Sequence, residues 1–294
     1  MARNMLRIDA YHRPATLDLA LALMTEGRTV VAGGTDLLVN PRYLVGVTEV
    51  VDLGDLPLDF VEVEPDLIRI GANATMARVA ASPEVRALAD GIVSRGAAVC
   101  GSPNIRNMAT LVGNVASALP SSDTPPPLLV LGARVVLRSR SATRRLALEE
   151  FFLGPAVSAR RPDELVESVE IPRPRPGTRG GFYKVKRTAD DIAIVNSAAC
   201  LCVEEGRIAF ARVVVGAVAP VPLRIAAAEQ HLLGRQPSEE VLAEAGRLAA
   251  AAARPITDQR ATAEHRRHLA GVCATRALRQ AAGLDPHGAE LEHA

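Results

Sequence analysis

The stretch Val-Val-Ala-Gly-Gly-Thr-Asp, residues 30–36, closes an apolar run with two adjacent glycines. Lacking Cβ atoms, such a pair turns through backbone angles closed to other residues. It also opens its amide N–H groups to close approach, and Thr35 adds a hydroxyl donor, so the chemistry is that of an anion cradle. If a helix starts at Thr35 or Asp36, its free N–H groups and positive dipole end favour an anion further. A second glycine-containing turn, NMATLVGNVAS, occupies residues 107–117. Neither stretch carries G-x-G-x-x-G or the P-loop spacing, so a Rossmann or P-loop reading is disfavoured. On the residues alone, the pair reads either as phosphate-holding loops or as ordinary tight turns.

The surrounding chain reads as α+β. TLDLALALMTEG has helical spacing ending at Gly27, RTVVAGG is a strand entering the first glycine turn, and TEVVDLG is a second strand. DLIRIGANATMARVAAS reads as strand, turn and a helix starting near Thr75. SPEVRALADGIVSRGAAV reads as one helix with Ser82 as N-cap and Pro83 at its first position. After the proline-rich PSSDTPPPLLVLG come strands at ARVVLRS and DELVESVEIP. PRPRPGTRGG, residues 172–181, is the best linker candidate. Beyond it lie strand-like FYKVKR, IVNSAACLCVEEG and RIAFARVVVGAVA. The helical segments PLRIAAAEQHLLG, SEEVLAEAGRLAAAAA and DQRATAEHRRHLAGVCATRALRQAA follow.

The core must be built from Ala, Val and Leu, because Trp is absent and there are only five Phe and three Tyr. Lys and Arg number 34 against 33 Asp and Glu, a balance that argues against a nucleic-acid partner or an acidic membrane surface. The four cysteines, Cys100, Cys200, Cys202 and Cys273, include no CxxC pair and have no His cluster beside them. They read as small buried residues in a reducing compartment, with no metal ligands assigned. No signal-peptide core and no run of about 18 apolar residues is visible, so the expectation is a cytoplasmic protein without a transmembrane segment.

In context, GSPNIRNMATLVGNVASALPSSDTPPPLLVLGARVVL strongly resembles the flavin-binding signature of the FAD-binding, or medium, subunits of molybdenum hydroxylases. These are the subunits of carbon monoxide dehydrogenase, xanthine dehydrogenase and hydroxybenzoyl-CoA reductase type. AGGTDLL resembles the first pyrophosphate loop of that family, FYKVKRTADDIAIVNSAA the opening of its C-terminal domain, and RPITDQRATAEHRRHLAGVCATRAL its closing helix. The resemblance implies a two-lobed FAD-binding domain of the PCMH type, residues 1–55 and 56–175. A C-terminal domain of the CO dehydrogenase flavoprotein type, residues 176–294, would follow as a three-stranded sheet with helices on one side.

Carried over motif by motif, the resemblance puts the pyrophosphate on Ala32, Gly33, Gly34, Thr35 and Asp36 from one lobe. From the other it uses Thr110, Leu111, Val112, Gly113 and Asn114. Backbone N–H groups would do most of this work, with Thr35, Thr110 and Asn114 adding side-chain bonds. Val112 stands where the family has a glycine, so that turn must take ordinary angles or approach the cofactor less closely. Asp123 matches an acidic residue near the sugar-like chain of the flavin, although SSDTPPP also reads as a helix cap. Val166 matches an apolar position against the flavin and equally suits strand core. Lys184 matches a lysine near the isoalloxazine, its alternative being an exposed strand lysine. Asn104 and Arg106 belong to the signature or satisfy loop carbonyls, and His265 reads as a helix-packing position.

The family division of labour implies an oxidoreductase complex. A large subunit holds the molybdenum cofactor and a small subunit holds two 2Fe–2S clusters. This chain would hold FAD and pass electrons to an external acceptor, the implied assembly being a dimer of heterotrimers. No nucleophile, acid/base dyad or metal cluster stands out in the sequence, so no catalytic residue is assigned to the chain itself. Two readings stay open beside this one: a self-sufficient FAD-dependent oxidoreductase of the same fold, and a flavin-free scaffold subunit.

Overall fold

The computed structural model describes residues 8–37, 39 and 45–285. The first unit contains β1 (Ala10–His12), α1 (Leu17–Ala22), β2 (Arg28–Val31) and β3 (Glu49–Asp52), a parallel sheet in the order β1-β3-β2. Thr16 caps α1 by accepting from the Leu19 N–H at 3.3 Å. The helix stops earlier than the sequence suggests. Gly27, at φ 81°, belongs to the turn that feeds β2.

The second unit starts with β4 (Val61–Val63) and β5 (Leu67–Gly71), followed by the short helices α2 (Met76–Ala81), α3 (Pro83–Arg86), α4 (Ile92–Ala98), α5 (Pro103–Met108), α6 (Leu111–Ala116) and α7 (Pro125–Val130). Then come β6 (Arg134–Arg138), β7 (Thr143–Ala147), α8 (Leu148–Phe151), the small β8 (Phe152–Gly154) and β9 (Val157–Ser158) hairpin, and β10 (Leu165–Pro172). Its antiparallel sheet runs β4-β5-β10-β6-β7. As expected, Thr75 and Ser82 cap α2 and α3, and Pro83 opens α3.

The single helix expected over residues 82–99 is broken. Ala89, Asp90 and Gly91 all have left-handed angles (φ 44°, 57° and 73°) and separate α3 from α4. The reason is tertiary, because the turn lies against the next sheet and Asp90 pairs there with Arg179 at 2.9 Å.

The third unit is an antiparallel sheet of β11 (Thr178–Val185), β12 (Val195–Glu204), β13 (Arg207–Gly216) and a two-residue edge strand, β14 (Leu223–Arg224). It continues with α9 (Ala226–Leu232), α10 (Glu239–Ala252) and α11 (Ala263–Ala282). β14 occupies the start of a segment that reads as wholly helical. β11 in turn begins inside the expected linker, so only residues 173–177 connect the units. Gly180 and Gly181 are glycines for steric reasons. A Cβ on Gly180 would lie 3.1 Å from Ile92 Cβ, and one on Gly181 would lie 2.8 Å from the Ala277 carbonyl carbon.

Alternation along β12 splits the core. Ala199 and Leu201 face α9–α11, whereas Ala198 and Cys200 join the core of the first two units together with Val214. Sheet helices therefore cover one side of the third sheet, and the middle unit covers the other. Arg95 of α4 donates to the Phe182 carbonyl at 3.0 Å and also meets the Gln280 side chain, while Gln280 Oε1 accepts from the Phe182 N–H at 2.9 Å. Among the described residues no helix is long and apolar enough to cross a membrane.

Candidate functional site

Strand β2 runs into Ala32, Gly33 and Gly34, and residues 35–37 continue as a turn; a helix starting there would extend into residues outside those described. Gly34 adopts φ 70°, which favours glycine. Gly33 lies directly on the backbone before the second loop, where an added Cβ would sit 2.7 Å from the Met108 carbonyl carbon and 3.0 Å from Ala109 Cα. The two glycine segments are thus side by side. Asp36 reaches across and accepts a hydrogen bond from Ser117; burial pushes its carboxyl up, and that bond partly opposes the shift.

The second glycine segment is not a turn but the start of α6. Thr110 is its N-cap, with Oγ1 accepting from the Gly113 N–H at 3.0 Å, and Gly113 leaves room for that hydroxyl. Leu111 and Val112 are buried in helical conformation. Val112 is only 2 % exposed and belongs to the core, so its branched side chain is directed away from the loop surface. The turn takes ordinary angles at this position. Asn114 Oδ1 accepts from Thr124 Oγ1 at 2.7 Å, tying α6 to the start of α7.

Asp123 and Lys184 meet each other. Lys184 Nζ lies 2.6 Å from Asp123 Oδ2 and donates to the Val99 carbonyl at 3.1 Å. Both side chains are nearly sealed from solvent, at 3 % and 5 % exposure for Lys184 and Asp123. Lys184 is therefore not an exposed strand lysine, and α7 takes its N-cap from Thr124 and not from Asp123. Burial pushes the Asp123 carboxyl up, opposed by Lys184 and by Asn196. Lys186, just past the end of β11, is lowered by burial and by Lys184.

The remaining positions divide. Arg106 donates to the Gly101 carbonyl at 2.6 Å, satisfying the loop, and Asn104 is exposed on α5. Val166 is buried on β10 beside a bulge and forms strand core. His265 is exposed on α11, correcting the packing role read from the sequence. Sequence reasoning missed Cys100 and Asn196. The thiol of Cys100 is pushed up to about 12 by burial and feels Asp123, Lys184, Asp36 and Arg106, which places it among the site charges. Asn196 is fully buried on β12, and the polar Asn-Ser pair inside an apolar strand was its available signal.

A cavity of about 410 Å³ opens between α2, α4 and α5, lined by Ala77, Ala80, Ala98, Val99, Pro103, Arg106 and Asn107. It shares Val99 and Arg106 with the surroundings of the buried ion pair. A larger cavity of about 660 Å³ lies on the outer face of α10 and α11 and includes none of these residues. All four cysteines are free thiols, and no cluster of metal-binding side chains occurs among the described residues.

Residues 4–174 match the family model described as the FAD binding domain in molybdopterin dehydrogenase. The chain belongs to the FAD-binding subunits of the molybdenum hydroxylases. Residues 181–281 match the CO dehydrogenase flavoprotein C-terminal domain. The carbon monoxide dehydrogenase medium chain of Afipia carboxidovorans is 32% identical over 281 residues, covering 92% of this chain and 96% of the relative. The caffeine dehydrogenase subunit beta of a Pseudomonas species is 30% identical, covering 94% and 96%. Among solved structures, carbon monoxide dehydrogenase from Hydrogenophaga pseudoflava superposes with a TM-score of 0.88 at 28% identity, covering 94% of this chain and 97% of that one. Quinoline 2-oxidoreductase from Pseudomonas putida 86 gives 0.88 at 26% identity, covering 95% and 98%. This FAD-binding subunit is thus an oxidoreductase component.

Proposed function

We propose that this chain holds FAD across its first two lobes, takes electrons from a 2Fe–2S cluster of a partner subunit and delivers them to an external acceptor. The observation that carries the reading is the backbone contact of Gly33 with Met108 and Ala109, which sets two glycine segments from different lobes side by side. The residues present fit the cofactor. Ala32, Gly33, Gly34, Thr35 and Asp36 would offer one edge of a pyrophosphate cradle, and Thr110, Leu111, Val112, Gly113 and Asn114 the other. Val112 sends its side chain into the core and leaves that edge clear.

FAD, when bound, accepts and releases electrons singly or in pairs, which suits a junction between one-electron clusters and a two-electron acceptor. Asp123 retains acceptor capacity for a flavin hydroxyl beside its bond to Lys184. Lys184 brings a cation toward the same region and would favour an anionic ring. Val166 would contribute apolar core beneath it. Burial of this ion pair excludes water and keeps the local charge interactions strong.

The words medium chain and subunit beta in the names of the relatives support a multi-subunit assembly. We place this chain with a large molybdenum-cofactor subunit and a small two-cluster subunit, as a dimer of heterotrimers in the cytoplasm. The domain limits proposed are residues 1–55, 56–175 and 176–294.

Purification of the native complex followed by denaturation and chromatography of the released flavin tests the reading. FAD in stoichiometric amount, together with both partner subunits, is the expected result. A clean FMN peak would overturn the two-loop cradle. Recovery of a lone chain that turns over a small organic substrate would replace the subunit role with a self-sufficient oxidoreductase.

A further inference from the structure

Three residues stand in a row across the third sheet. Strand register pairs Lys184 of β11 with Asn196 of β12, and Asn196 with Gly216 of β13. The row faces the segment between α6 and α7. Lys184 reaches Asp123 and the Val99 carbonyl, while Asn196 Nδ2 donates to the Ser122 carbonyl at 3.0 Å and to Asp123 Oδ1 at 3.1 Å. Both neighbours of the Nδ2 group are acceptors, so the amide orientation is fixed; reversing it would set Oδ1 against two oxygens. Asn196 Oδ1 has no donor and is sealed against Gly216. A Cβ at position 216 would lie 3.2 Å from Asn196 Cγ and equally close to Pro126 Cγ of α7. Glycine is therefore what lets Asn196 lie flat between the sheet and the middle lobe.

We propose that Asn196 is a positioning residue, which with the space left by Gly216 fixes the Asp123 carboxylate against Lys184 and makes the flavin site depend on the docked C-terminal domain. The inference rests on the reading of Asp123 and Lys184 as flavin-site residues. A buried ion pair is held in one geometry only when its remaining lone pairs are also satisfied. Lys184 occupies one carboxylate oxygen of Asp123 and Asn196 the other. Without Asn196 the second oxygen would face apolar strand atoms, and the carboxylate would rotate away from the site. The same amide also pins the backbone at Ser122, so side chain and main chain of this segment are set by a domain beyond the two glycine lobes.

The test uses the full chain with FAD added, in the variants Asn196→Ser, Asp123→Asn, the double variant, and Gly216→Ala. FAD affinity is read by fluorescence titration, and hydrogen exchange of residues 121–124 is read without FAD. Asn196→Ser is expected to weaken FAD by at least ~10-fold, as for a lost bond to a charged group. In the Asp123→Asn background the same change is expected to add less than ~2-fold, because its effect runs through that carboxylate. A merely structural role would multiply the two losses and overturn the proposal. Wild-type affinity in both Asn196→Ser and Gly216→Ala would also overturn it. If Asn196→Ser does not fold, Gly216→Ala is expected to give the same loss by displacing the amide. If the wild-type chain takes up no FAD, the flavin reading fails separately. The positioning role then stands on loss of exchange protection over 121–124 in the variants, and falls if protection is unchanged.

Discussion

Gly33→Ala is the smallest change that separates the two glycine segments. Its new methyl would lie 2.7 Å from the Met108 carbonyl carbon, against about 3.4 Å for an ordinary contact, so the segments must part by at least 3.4 − 2.7, or about 0.7 Å. The Met108 carbonyl oxygen is overlapped outright and cannot move freely, since the neighbouring Ala109 carbonyl accepts from the Met76 N–H at 2.8 Å. Overpacking of this kind costs roughly 1–3 kcal/mol. For a chain of this size that lowers the melting temperature by roughly 2–5 °C. Loss of one charge-assisted bond to a phosphate, about 1.5–3 kcal/mol, would weaken FAD by roughly 10- to 100-fold. Differential scanning fluorimetry of the flavin-free chain and fluorescence titration with FAD measure the two effects. Gly234→Ala is the control, because Gly234 has a left-handed φ of 74° but open space around it. It should cost some stability and leave FAD affinity alone. A Gly33→Ala variant with wild-type melting and wild-type affinity would refute the loop-contact argument.

Asp258, which accepts from the Arg260 and Ala261 N–H groups and from Arg266, is lowered to about 2 from an ordinary 3.8. A depressed carboxyl stabilises the fold above its unfolded value and loses that contribution as pH falls from near 4 towards 2. Melting curves of wild type and Asp258→Asn should therefore converge across that window, with the variant less stable at neutral pH. Gln280→Leu removes the acceptor for the Phe182 N–H and one partner of Arg95, and should destabilise the chain by roughly 1–3 kcal/mol in denaturant titration. The thiols of Cys200 and Cys273 are buried and pushed up to about 12, so mass spectrometry should find them unalkylated in the native chain at neutral pH and fully alkylated after unfolding.

Local rules were legible wherever the chain makes its own decisions. Thr75, Ser82 and Pro83 announce two helix starts through side-chain chemistry alone, and β13 shows in its run of three valines, 213–215. Decisions made by distant residues were not legible. Asp90 and Gly91 lie inside a segment that reads as one helix, and what breaks the helix is docking on β11. Thr110-Leu-Val-Gly reads as a loop because Gly113 lowers helix propensity, whereas that glycine makes room for the capping hydroxyl. Asp123 and Lys184 could be named singly from the family motif. Their mutual pairing, 61 residues apart, needed the strand register that brings β11 against the start of α7.

The glycine pair in β11 has a consequence for how the chain can be handled as a material. One glycine is pressed by α4 and the other by α11, and α11 is synthesised some eighty residues after the strand it closes on. Until then the strand lies open on one side, and its neighbours on β12 expose Ala199 and Leu201. A fragment cut at residues 173–177 would likewise bare the apolar patch that Ala198, Cys200 and Val214 normally cover. Such exposed strands and patches seed aggregation. The proline-rich connector that looks like a natural cleavage point is thus a poor place to divide the protein for expression, and a fragment designed for solubility would have to carry the last helix with it.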